Sequence, residues 1–189
     1  MDQADRRAAQ FRLDNPVLAF RFTATLTDRW GVTVERLAAP GSLATWFELN
    51  GFGTPPRDLA ESDLLRAREL REAIQRAGTA VAADEEPALA DLERLNEFSA
   101  GGDGHLVLES GHATWHLPRR RWVDSAFGVL AGDAIRTLGG DSRSRVRVCA
   151  RPECRGLFVD TSRAGQRRWC SMNYCGNRQK KENARSSVR

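Results

Sequence analysis

The chain has 189 residues, 41% hydrophobic and 29% charged, which is enough for one full-sized globular domain and a small appendage but not for two large domains. Its net charge of +4 hides two opposed parts: Arg143 to Arg189 carry 13 Lys/Arg against 3 acids, and the 142 residues before them carry 16 Lys/Arg against 22 acids. No apolar run is long enough for a membrane-spanning helix, and the opening MDQADRRAAQ lacks the apolar stretch of a secretory signal, so a reducing cytoplasm is the expected compartment.

Taken in chain order, Asn15-Pro16 offers a cap and a first-turn proline, with Leu18, Phe22 and Leu26 at i+4 spacing. The stretch FRFTATL also alternates with period two, yet a helix is the expected outcome. Gly31 marks a break, and VTVERL is expected to be extended. Ser42 is placed to cap a helix that carries Leu43, Trp46, Phe47 and Leu49 and stops at Gly51. Ser62 is placed to cap the clearest amphipathic helix, with Leu64, Ala67, Leu70, Ile74 and Ala77 on one face and Gly78 as its stop. A further helix from Pro87 to Phe98 would bury Leu89, Leu92, Leu95 and Phe98.

HLVLESGHATWHL predicts a hairpin turning at Ser110-Gly111. On its second strand His112 and His116 share a face but lie about 13 Å apart, too far to hold one ion; His105 has no partner visible in the sequence. Trp46, Trp115 and Trp122 are expected in the core. Helical spacing returns from Arg120 to Leu138. The polar stretch GGDSRSR (139–145), where the charge balance flips, marks the expected boundary between a domain of residues 1–142 and one of residues 143–189.

All four cysteines lie in the second part, as Cys149-x4-Cys154, fifteen residues, then Cys170-x4-Cys175. Two close pairs across a loop of that length match a four-thiolate zinc site; disulfides, iron or free thiols are the alternatives. A mostly charged stretch of this length builds no apolar core of its own, so one structural Zn²⁺ would supply its folding energy. Four thiolates leave no open position for water, which argues against a catalytic ion. GLFVD (156–160) and RRW (167–169) are expected to pair as a hairpin, with Phe158 and Trp169 beside the ion. A helix following Cys175 would complete a treble-clef-like finger behind a mostly helical first domain, an α+β chain. Loss of Cys149 is expected to cost the ion and the tail while leaving the first domain intact.

The stretch CARPECRGLFVDTSRAGQRRWCSMNYCGNRQKK resembles the CGNR zinc-finger family, whose motif stands here as Cys175-Gly176-Asn177-Arg178. Residues 11–140 resemble more loosely the ABATE domain that precedes this finger in that family, through LATWFELNGF, ARELREAI, Asn96 and the Trp115 hairpin. The resemblance implies DNA binding by the finger and a sensing or oligomerising role in stress-related transcription for the first domain, with a small-molecule effector as its expected partner. One departure is visible: where the family's first segment commonly reads ALDFVNT, this chain has AFRFTAT, placing Arg21 and Ala24 at the acidic and amide positions.

The expected function is therefore a non-enzymatic, DNA-binding transcription regulator with metal ligands Cys149, Cys154, Cys170 and Cys175. Its phosphate contacts would be Arg155, Arg163, Arg167, Arg168, Arg178, Lys180, Lys181 and Arg185. Arg178, Lys181 and Arg185 would share one helix face. Arg178 is equally suited to bracing the metal site, and Asn177 to a structural turn. Two alternatives stay open: an RNA- or ribosome-associated finger, and a zinc-thiolate redox switch. No nucleophile–base constellation is legible.

Overall fold

A computed structural model describes residues 10–186, with side chains through Glu182. The side chain of Arg185 lies outside the described residues. Among the described residues, five helices form the body: α1 (Leu18–Thr23), α2 (Pro40–Leu49), α3 (Glu61–Ala82), α4 (Leu89–Ala100) and α5 (Trp122–Gly139). Three two-stranded antiparallel pairs accompany them: β1 (Leu26–Thr27) with β2 (Val34–Glu35), β3 (His105–Glu109) with β4 (His112–His116), and β5 (Val146–Val148) with β6 (Leu157–Val159). The helix α6 (Asn177–Ser186) follows the last cysteine. This is the expected α+β class, helical first and ending in a small cysteine-bearing unit. Among the described residues no helix is long and apolar enough to cross a membrane.

The long helix α3 is the axis. Its stripe Leu64, Ala67, Leu70, Ile74 and Ala77 is fully buried, as the i, i+3, i+4 pattern dictates. Trp46 meets Phe22 edge-on at 4.9 Å, and Phe47 meets Trp122 at 5.2 Å, so two of the three expected core tryptophans sit in one aromatic cluster. Trp115 is half-buried and stacks on Phe52.

Several local expectations change for identifiable reasons. The cap of α3 is Ala60, not Ser62: the Asp63 carboxylate accepts the Ala60 N–H at 2.9 Å and is gripped by Arg57 at 2.8 and 3.2 Å. Nor does α3 stop at Gly78. A Cβ there would lie 2.4 Å from Leu157 Cδ1, so the glycine serves close approach rather than termination. The helix α1 is short; Asn15 folds its Oδ1 onto the Val17 N–H at 3.1 Å, and Asp133 of α5 accepts the Ala19 N–H at 2.9 Å. In α4 the buried face is Asp91, Leu95 and Phe98, leaving Leu89 and Leu92 outside. Arg76 of α3 forks onto Asp91, at 3.0 Å from Nε and 2.6 Å from Nη2, and so turns that face inward.

The β3–β4 hairpin turns at Ser110 (φ 49°) and Gly111 (φ 82°), the left-handed pair that a two-residue turn needs. Its register sets His105 opposite His116, with ring centroids 5.0 Å apart, and Glu109 opposite His112.

The strand β6 pairs with β5, Val146 opposite Val159 and Val148 opposite Leu157, and not with residues 167–169. Asp160 explains the difference. Its carboxylate accepts the Ser162 hydroxyl and the amides of Ser162 and Arg167, at 2.6, 2.9 and 2.9 Å. The chain after β6 thus closes into a side-chain-bonded turn that satisfies its own amides. The inner face of the β5–β6 pair, Val146, Leu157 and Val159, belongs to the same buried cluster as the five helices.

Candidate metal centre and its basic flank

Two turns bring the cysteines together. In the first, the Cys154 and Arg155 amides both donate to Arg151 O at 3.1 and 3.2 Å, and Cys149 N donates to Gly156 O at 2.8 Å. Arg155 adopts φ 49°, and a Cβ at Gly156 would lie 3.4 Å from Cys154 Sγ and 3.7 Å from Cys170 Sγ. The four-residue gap is closed by the two amides on Arg151 O, and the left-handed step at Arg155 follows it. In the second turn, Cys175 and Gly176 both donate to Ser171 O at 3.1 and 3.0 Å, and Ser171 Oγ accepts the Tyr174 amide at 3.3 Å. The turn Met172–Gly176 runs directly into α6.

All four Sγ atoms lie within 4.8 Å of one another, Cys154 to Cys170 at 3.7 Å and Cys170 to Cys175 at 3.6 Å. Sulfurs bonded at about 2.3 Å to one tetrahedral ion sit about 3.8 Å apart, whereas a disulfide requires about 2.0 Å. All four are free cysteines, three buried and Cys170 half-buried. The donor set therefore fits a closed, four-thiolate metal site and not a pair of disulfides. Hydrogen bonds from Cys149, Cys170 and Cys175 hold Cys154 far below the ordinary thiol range, while those with Cys149, Cys154 and Cys175 push Cys170 up. Four sulfurs this close cannot all ionise without a cation among them.

The surroundings are partly as expected. Trp169 packs on the cysteines. Phe158 is buried beneath the Arg167 guanidinium, 5.0 Å from its ring centroid.

The expected phosphate contacts divide into two groups. Arg155, Arg163, Arg168, Arg178, Lys180 and Lys181 are exposed. Arg167 is half-buried and occupied: its Nε donates to Trp169 O at 2.8 Å and its Nη2 to Cys170 O. It holds the second cysteine turn. Arg178 reaches the N-terminal body, with Nη1 at 3.6 Å from Asp28 Oδ2. Asn177 is exposed at the start of α6.

Three contributors were not legible in the sequence because they join distant segments. Arg151 is buried and faces Asp28 at 3.4 Å, Glu153 at 3.2 Å and Glu182 of α6 at 3.5 Å. Asp28, at φ 51° in the β1–β2 turn, thereby meets both Arg151 and Arg178. Arg12 is buried against the centre itself, with Nη1 3.9 Å from Cys154 Sγ and 4.0 Å from Cys175 Sγ. Asn15 donates to Leu157 O at 3.0 Å and Gln75 to Arg155 O at 3.3 Å. A cavity of about 30 Å³ remains in this junction, with Arg12, Ala24, Gln75 and Cys154 in its wall. Arg21 is spent elsewhere, on Asn15 O and Asn50 Oδ1 at 3.0 and 2.9 Å.

A helical body carrying a C-terminal, four-cysteine, metal-type centre is the class that fold and site define. Residues 16–141 match the ABATE family, described as "Putative stress-induced transcription regulator", and residues 145–187 match the CGNR zinc finger. The ABATE match spans about two thirds of the chain, and the chain belongs to that family, with the finger following in the expected order. The search of curated proteins finds no match.

Proposed function

We propose that this protein is a non-enzymatic, duplex-DNA-binding transcription regulator acting in a reducing compartment, whose finger is organised by one structural Zn²⁺ on Cys149, Cys154, Cys170 and Cys175. The observation that carries the reading is the start of α6 on the metal centre. The last ligand, Cys175, lies two residues before the helix, and Arg178, Lys180 and Lys181 are exposed on its first turns. An ion at the cysteines would fix the root of a cationic helix, and exposed Arg155, Arg163 and Arg168 add charge around it. Such a surface neutralises phosphates and displaces their counterions. Zinc suits a closed thiolate set, whereas a catalytic ion needs an open position. Asp28 gives the regulatory domain a direct grip on this helix through Arg178 and, by way of Arg151, through Glu182.

The test is binding of the purified chain to duplex DNA across a salt series. Each phosphate contact adds about 0.9 to the magnitude of the log–log slope, so a slope of several units is expected, and a flat response contradicts the reading. An RNA reading draws support from Trp30, 63% exposed in the turn whose backbone N–H donates to Glu153 O of the finger at 3.2 Å, since exposed aromatics stack on unpaired bases. Competition between structured RNA and duplex DNA of equal length separates the two.

A further inference from the structure

We infer that Arg12 is the counter-charge of the metal centre, so that the centre extends beyond the finger into a segment that neither family match covers. The inference rests on the metal reading above and adds to it a residue from the far end of the chain.

The observation is an arginine in a place where an arginine is costly. Arg12 is 9% exposed, its Nε has no hydrogen-bond partner, and among the described residues no carboxylate pairs with it. A buried cation without an anion is strongly unfavourable. Among the described residues, the groups of negative character that its guanidinium touches are Cys154 and Cys175, at 3.9 and 4.0 Å. These distances are long for a hydrogen bond but close for opposed charges. Without charge on the sulfurs, the guanidinium would have no counter-charge among the described residues. A divalent ion held by four thiolates carries a net charge of −2, and the guanidinium brings the assembly to −1.

The placement is fixed from both sides. Phe11, 2% exposed, sits in the helical core, and Asn15 is bonded to Leu157 O of the finger at 3.0 Å. Residues 11–15 thus strap the body to the centre. The guanidinium lies over the Tyr174 ring at 4.8 Å, a cation–π contact that either a guanidinium or an ammonium can make. Two consequences follow for the thiolates. A fixed positive charge beside four clustered thiolates offsets their mutual repulsion and so strengthens metal retention, as groups just outside a ligand set do. It also lowers their nucleophilicity, which makes the centre a resistant structural site rather than a readily oxidised switch.

The test uses the full chain loaded with Zn²⁺, comparing wild type, Arg12→Met, Arg12→Lys and Arg36→Met. Arg36 is a nearby half-buried arginine bonded to Thr27 Oγ1, and it serves as the control. Zinc affinity is read by competition with a chromogenic chelator, thiol loss under hydrogen peroxide by thiol titration, and helix content by circular dichroism. Arg12→Met is expected to weaken zinc binding about 10–100-fold and to speed thiol loss. Arg12→Lys, which keeps the charge, should fall within a few-fold of wild type, and Arg36→Met should match wild type. Arg12→Met with wild-type affinity and stoichiometry overturns the inference, as does Arg12→Lys weakened as much as Arg12→Met. If Arg12→Met does not fold, near-wild-type Arg12→Lys supports the inference and an equally unfolded Arg12→Lys overturns it. Wild type that binds no zinc is a separate outcome, in which the metal reading itself fails and takes this inference with it.

Discussion

Leu157 of β6 sits in the notch that Gly78 leaves in α3: a Cβ at position 78 would meet Leu157 Cδ1 at 2.4 Å and Cγ at 3.4 Å. The finger is therefore seated on the helical body through a residue pair matched in shape. Gly78→Val is expected to lower stability by about 1–3 kcal/mol through overpacking. In Gly78→Ala a gain of about 1 kcal/mol in helix propensity offsets much of a smaller clash, because the end of a leucine can turn. Urea denaturation of both variants checks this, and a valine variant as stable as wild type contradicts the seating.

Arg178 of the CGNR motif has two candidate roles, and its 3.6 Å approach to Asp28 allows them to be separated. If Arg178 contacts phosphate, Arg178→Ala reduces the magnitude of the DNA salt slope by about 0.9 with little change in zinc affinity. Asp28→Asn, which keeps a residue tolerant of φ 51°, should then tighten DNA binding by freeing the guanidinium. If Arg178 only braces the finger, both substitutions weaken zinc retention and leave the slope unchanged.

Asp63 makes a prediction about pH. Burial pushes its carboxyl up, but the hydrogen bonds from Arg57 and the Ala60 amide outweigh burial and hold it below the usual carboxylate range. The folded value is thus lower than the unfolded one. The stabilisation is fully present above the unfolded value and is lost as pH falls through the folded one. Asp63→Ala is expected to cost about 1 kcal/mol at pH 7, with the gap to wild type closing as pH falls through and below the ordinary carboxylate range. Acid also strips thiolate-bound metal, but it does so in both proteins, so the difference between their urea midpoints isolates Asp63. A gap that persists undiminished at low pH contradicts the assignment.

The sequence alone leads to the expectation that the first domain stays intact when Cys149 is lost; the shared core changes this, and removal of a metal ligand should be felt in the body as well as in the tail. Val146, Leu157 and Val159 share the core with α3, and each fully buried aliphatic side chain contributes about 1.5–3 kcal/mol. Cys149→Ser is expected to lose the ion, loosen the β5–β6 pair, and raise amide hydrogen exchange along α3 around Gly78. A metal-free variant whose α3 amides stay as protected as in wild type would mean that the finger is energetically separate.

The sequence was most legible where one periodicity had one cause. The buried stripe of α3, the Ser110-Gly111 hairpin turn and the four-cysteine spacing each reflect a local rule, and the structure follows all three. It was misleading where a residue answers to a distant partner. Gly78 looks like a helix stop until Leu157 is known to lie on it, and Leu89 and Leu92 look buried until Arg76 takes Asp91 inward. Residues 167–169 look like a return strand until Asp160 collects the amides of that turn. Arg12 and Asp28 carried no motif at all, because their meaning lies in contacts across more than a hundred positions.

The most direct measurement is the intact mass of the purified chain under native conditions, with and without a strong chelator. The account predicts one zinc ion per chain, four thiols protected from alkylation while it is bound, and loss of ordered structure around Cys149–Cys175 once it is removed. A chain that carries no metal, alkylates readily at all four cysteines and yet keeps its finger folded would contradict it.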